Sequence, residues 1–144
     1  MTAEHASLPT PAATRPSLVQ ALRYVAPLVP LLILIQAFFA GRGLFLDNDL
    51  IDVHGGVGNV TLLLAFVQAA LVLFAGLRGS RRIPLIVVSV LLVLLVIVQL
   101  GLGSSGRDGG QAAAWHVPNG VLVFGLSVGV NALIDRYRRE SAAP

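Results

Sequence analysis

The chain has 144 residues, 56% of them hydrophobic and only 12% charged, with a formal net charge of +3. Soluble domains carry about 25% charged residues, so this composition excludes a water-covered globule and leaves the lipid bilayer as the solvent that fits. The absence of cysteine excludes disulfides, zinc–thiolate sites, iron–sulfur ligation and covalent c-type heme attachment.

Residues 1–20 open with MTAEHASLPTPAATRPS, rich in Ala, Pro, Thr and Ser without an apolar period, which predicts a disordered tail. His5 falls in this tail and is assigned no role. A first apolar stretch covers 24–41, with Pro27 and Pro30 in its opening turns, where a missing amide does least damage. Its apolar core is longer than that of a secretory signal, so it reads as an uncleaved anchor. Further apolar stretches cover 54–77, 83–101 and 116–134. Each is close to the ~20 residues a helix needs to cross ~30 Å of hydrocarbon. None alternates polar and apolar positions as a membrane barrel would. The third is apolar on all sides and is expected to face lipid over much of its surface. Residues 140–144 form a short tail. The expected fold is therefore all-α: an integral membrane four-helix up-down bundle over 21–139.

Arginine placement orients the bundle. Arg15, Arg23, Arg78, Arg81, Arg82, Arg136, Arg138 and Arg139 flank one end, whereas the other two connections hold only Arg42 and Arg107 among four aspartates. The positive-inside rule then puts both termini and the 78–82 loop in the cytoplasm, and the 42–53 and 104–115 loops outside. Lipid contact is a secondary role for the inner arginines, and no groove-sized basic patch exists, so nucleic acid is not a partner. All ten basic residues are Arg, a usage that suits a GC-rich bacterium and hence a bacterial inner membrane. Trp115 and Tyr137, at opposite ends of the fourth stretch, are expected to anchor the two interfaces.

The two halves show a weak internal repeat. Gln36 is followed 18 residues later by His54-x-x-x-Gly58, and Gln99 is followed 17 residues later by His116-x-x-x-Gly120. His54, Gly58, Thr61, Ala65 and Gln68 fall on one helical face, as do His116, Gly120, Val123, Ser127 and Asn131. Membrane helices turn such small and weakly polar residues toward their neighbours. Both imidazoles should therefore point into the bundle from the same depth near the outer end. The helices carrying them are diagonal partners at about 14 Å when neighbours lie ~10 Å apart. That span suits two imidazoles on one heme iron. Gly58 and Gly120 would leave room for the flat porphyrin to approach the backbone. Without cysteine the cofactor would be a non-covalent heme b. Gln36 and Gln99 are expected to hydrogen-bond between helices or touch a quinone or porphyrin edge, and Arg42 and Arg107 to reach the propionates.

The run QAFFAGRG from Gln36 to Gly43, an outer loop, His54-x-x-x-Gly58 and a second histidine 62 residues later together resemble one four-helix half of a heme A synthase. The resemblance covers about 30–130 and implies heme-ligating histidines on the second and fourth helices, that is, His54 and His116. Gly55 and Ile51 stand where that family has an Arg and a catalytic Glu, and the family's loop cysteines are missing. The chain also resembles small bacterial four-helix membrane proteins with a similar AG…H pattern, a likeness that carries no function.

Three other readings attach to the same residues. Asp47, Asp49, Asp52 and His54 are a carboxylate–imidazole set that could take a divalent cation. Asp52 could equally offset the dipole at the start of its helix. No charged residue lies deep in a helix, which argues against a proton pump or ion-coupled transporter. No nucleophile–base pair or acid pair is visible, so an enzyme is not expected beyond an electron-transfer component. The sequence thus predicts a small bis-histidine b-type cytochrome exchanging electrons with a quinone or a membrane redox protein. The contrasting expectation is a cofactor-free accessory or assembly subunit of a larger complex.

Overall fold

The computed structural model describes residues 14–107 and 109–142, so most of the expected N-terminal tail, His5 included, and Asp108 lie outside the described residues. Five helices follow in order: α1 Pro16–Val25, α2 Leu28–Phe45, α3 Leu50–Phe74, α4 Arg82–Ser105 and α5 Gly110–Ala142. Together they make four spans long and apolar enough to cross a membrane, α1 and α2 counting as one. This is an all-α, four-helix, multi-pass membrane protein.

Sequential spans pack as neighbours, α2 on α3, α3 on α4 and α4 on α5, and α2 meets α5 sparsely to close the ring. α3 and α5 do not pack on each other, so they are diagonal partners. The interior is thin and made of small side chains: Ala65, Ala69 and Val72 from α3, and Val123, Ser127 and Val130 from α5. Leu31, Phe38, Leu63, Phe66, Leu94 and Leu122 instead point outward and are exposed. In water such a surface would drive aggregation; here it is the lipid-facing belt.

Helix starts earlier than the composition suggested, at Pro16 within the expected 1–20 tail. α1 is amphipathic, and it docks because Leu22 and Ala26 are buried with Leu18 and Val19 packed beside them. Its entry is tied down where Arg15 N–H donates to the Ala75 carbonyl and Thr14 Oγ1 to the Gly76 carbonyl. The break between α1 and α2 at Ala26–Pro27 has a local cause. Pro30 has no amide to donate back to the Ala26 carbonyl. Asn131 of α5 supplies the missing donor at 2.9 Å. The C-terminal end also differs from expectation, since α5 runs on through Glu140 to Ala142.

Tyr137 does not anchor an interface. It is 8% exposed and its hydroxyl accepts the Arg78 N–H, because α5 turns this face onto the loop between α3 and α4. The same loop is held by an Arg81–Glu140 ion pair with both guanidinium contacts on one carboxylate. Trp115 is exposed at the start of α5.

The hairpins α2–α3 and α4–α5 match beyond the Gln, His and Gly positions. A Cβ on Gly43 would lie 2.6 Å from Ile51 Cδ1, and one on Gly106 would lie 2.7 Å from the Ala113 amide nitrogen. These glycines each follow their glutamine by seven residues, and each lets the incoming helix pass close to the turn.

Candidate functional site

His54 enters from the second turn of α3 and His116 from the second turn of α5. Each ring is set by the helix before it. His54 Nδ1 lies 2.9 Å from the Gln36 carbonyl of α2, and His116 Nδ1 lies 3.1 Å from the Gln99 carbonyl of α4. A carbonyl only accepts, so both Nδ1 atoms carry the proton and both Nε2 atoms present a lone pair. This hydrogen bond to the far nitrogen is the arrangement that orients metal-ligating histidines. The two ring centres stand 5.9 Å apart with planes inclined at 71°.

The glutamine side chains differ in what they do. Gln36 Nε2 donates to Thr61 Oγ1 at 2.7 Å, and Thr61 passes its own proton to the Val57 carbonyl. Gln99 Nε2 instead meets His116 Nε2 at 3.1 Å, while its Oε1 accepts from Asn119 at 2.7 Å. Asn119 also donates to the Leu95 carbonyl. His116 is thus engaged at both ring nitrogens by one residue. Among the described residues, no hydrogen bond reaches His54 Nε2.

Beside the rings lies a cavity of about 390 Å³, within the ~300–1,000 Å³ typical of small-molecule sites. Its wall is almost wholly apolar, and His54, His116, Gln36, Gln99, Gly58 and Gly120 all line it. Six of the eight residues expected at the site therefore meet in one place. The two arginines do not line it. Arg42 lies over the Phe38 ring at 5.7 Å, and Arg107 pairs with Asp52 at 3.1 Å with both side chains largely exposed.

The glycines serve a more immediate purpose than clearance for a porphyrin. A Cβ on Gly58 would come within 3.0 Å of Leu100 Cδ2 and 3.3 Å of Gln36 Oε1, and one on Gly120 within 3.0 Å of Gln99 Nε2. They make room for the glutamines that position the histidines. Gly103, which sequence reasoning missed, is equally tight: its Cβ would lie 2.9 Å from His116 Cε1. It occupies the place one turn after Gln99 that Ala40 occupies after Gln36, a small-for-small match visible once the halves are aligned. Asn119 was missed because it falls one residue short of the glycine in the stripe.

The acidic loop does not form a cation site. Among the described residues no group of three or more His, Cys, Asp or Glu is placed to share a metal ion. Asp47 Oδ1 accepts the Asp49 amide, and Asp52 sits in the first turn of α3, where its charge suits the helix dipole. Neither family, curated protein nor solved structure was found to match this chain.

Proposed function

We propose that this membrane protein binds one b-type heme between His54 and His116 and serves as a small electron-transfer cytochrome. The single observation that carries the reading is the pair of neighbouring imidazoles, each with Nδ1 spent on a backbone carbonyl. With metal–nitrogen bonds of about 2 Å and about 1.2 Å from nitrogen to ring centre, two imidazoles on one iron have centres about 6.4 Å apart, about half an ångström more than here. The rings stand at 5.9 Å. Bound heme supplies one-electron chemistry at its iron.

The chain's own residues account for the rest. Gln36 and Gln99 hold the tautomer that leaves Nε2 as the ligand atom. Gln99 must withdraw its amide from His116 Nε2 before that atom can ligate. The apolar wall would keep water and small anions away from a bound heme, which favours electron transfer over ligand chemistry. The likeness to a heme A synthase half supports the ligand pair; it lends nothing to synthase activity.

The Gln99 contact also favours a second reading, a cofactor-free accessory subunit in which His116 is a satisfied packing residue. Titration of the purified apo-protein with hemin separates the two. Saturation at one heme per chain with a sharp Soret band, lost in His54→Ala and in His116→Ala, is the expected result. No specific uptake by the wild-type chain rejects the cytochrome and leaves the accessory subunit.

A further inference from the structure

The wall of the cavity is not equally thick on its four sides. Its lining residues from α3 and α4 are closed in, Gly58, Thr61 and Val96 being buried. On the α2 and α5 sides part of the lining is open. Leu34 of α2 is 53% exposed, and Val117 and Val121 of α5 are 67% and 68% exposed. Ala37, on the same face of α2, is exposed as well. The α2–α5 contact is the sparsest in the ring. All these positions lie inside apolar spans, which in a bilayer would turn the outer side of the gap toward lipid. A gap lined by Leu, Ala and Val at that depth offers nothing to a polar solute crossing from water.

We infer that the seam between α2 and α5 is a lateral portal, through which a flat, lipid-dissolved porphyrin enters the cavity from the bilayer. This rests on the heme reading, and it adds the route and the physical state of the ligand. A porphyrin that entered there would be held by His54 and His116. The bilayer is then the supply compartment, and a free aqueous carrier is not required.

The native chain lacks cysteine, so Leu34→Cys/Val121→Cys gives two unique thiols across the seam. The double variant, reconstituted without heme in vesicles, is bridged with a cleavable bifunctional thiol reagent or capped at both thiols with its monofunctional analogue. Hemin is then supplied from donor vesicles. Bridging is expected to slow Soret growth at least tenfold relative to capping, and cleavage of the bridge to restore the rate. Equal rates for bridged and capped protein, with normal final amplitude, overturn the portal and leave the heme reading intact. Absence of uptake by unmodified wild-type protein removes both. A measurement independent of heme covers loss of folding in the double variant. A nitroxide on Val123→Cys, a cavity-wall position 2% exposed, should be relaxed more strongly by oxygen dissolved in lipid than by a water-soluble nickel chelate. The reverse order overturns the portal.

Discussion

Gln99 holds both nitrogens of the His116 ring: its carbonyl takes the Nδ1 proton at 3.1 Å and its side-chain amide lies at Nε2, also at 3.1 Å. Gln36 makes only the first of these contacts with His54. The two imidazoles are therefore alike in orientation and unlike in availability. Gln99→Leu keeps the backbone contact and frees Nε2. It is expected to speed hemin uptake several-fold at unchanged stoichiometry. The side chain's two interhelical hydrogen bonds, to His116 and from Asn119, are lost; at about 0.6 kcal/mol each within a membrane, stability should fall by about 1 kcal/mol. Stopped-flow absorbance and thermal unfolding in detergent check the two parts.

The face that gathers the site could be read from the sequence because small and weakly polar residues recur at helical spacing. Gly58, Thr61, Ala65 and Gln68 are all buried, and the repeat in Gln, His and Gly marks where the hairpins correspond. The start of α1 was not legible, since Pro16–Val25 owes its order to docking on α3 and α5 rather than to its own propensity. Long-range pairings were equally hidden. Nothing local links Asn131 to the Ala26 carbonyl, to which Pro30 cannot donate, or turns Tyr137 inward to Arg78. Arg107 was expected beside the ligand from charge alone, but Asp52 takes it first.

Gly103 and Gly101 lie on the same helix and meet different surroundings. A methyl group on Gly103 would press on His116 Cε1 at 2.9 Å, whereas one on Gly101 has nothing within 4 Å. Overpacking typically costs about 1–3 kcal/mol, while Gly→Ala in an open helix gains up to about 1 kcal/mol. Gly103→Ala is expected to lower stability and weaken hemin binding at least tenfold. Gly101→Ala should leave binding unchanged. Parallel titrations and melting curves test the contrast.

Two amides facing the interior, the half-buried Asn131 and the buried Gln68, should respond oppositely to removal. Asn131 donates to the Ala26 and Ser127 carbonyls, so Asn131→Leu should cost about 1 kcal/mol, the net worth of a lost hydrogen bond. Gln68 is 1% exposed, and neither its Nε2 nor its Oε1 has a hydrogen-bond partner among the described residues. Replacing an unpaired buried polar group by an apolar one of similar shape is neutral or stabilising. Gln68→Leu should therefore hold or raise the unfolding midpoint, read by denaturant titration in detergent.

The charge distribution predicts the orientation. With no native cysteine, Asn48→Cys in the α2–α3 turn and Ser80→Cys in the α3–α4 loop are unique reporters. A membrane-impermeant thiol reagent should label Asn48→Cys on intact cells and label Ser80→Cys only after permeabilisation. The opposite pattern would put both histidines at the cytoplasmic end.

The central claim concerns one iron shared by two rings, and electron paramagnetic resonance of the ferric protein addresses it most directly. Wild-type protein loaded with one heme per chain is expected to give a low-spin signal from two nitrogen ligands. Heme retained by His54→Ala or by His116→Ala should become high-spin through loss of one axial ligand. A high-spin wild-type spectrum, or a low-spin signal that survives either substitution, would contradict the shared-iron site.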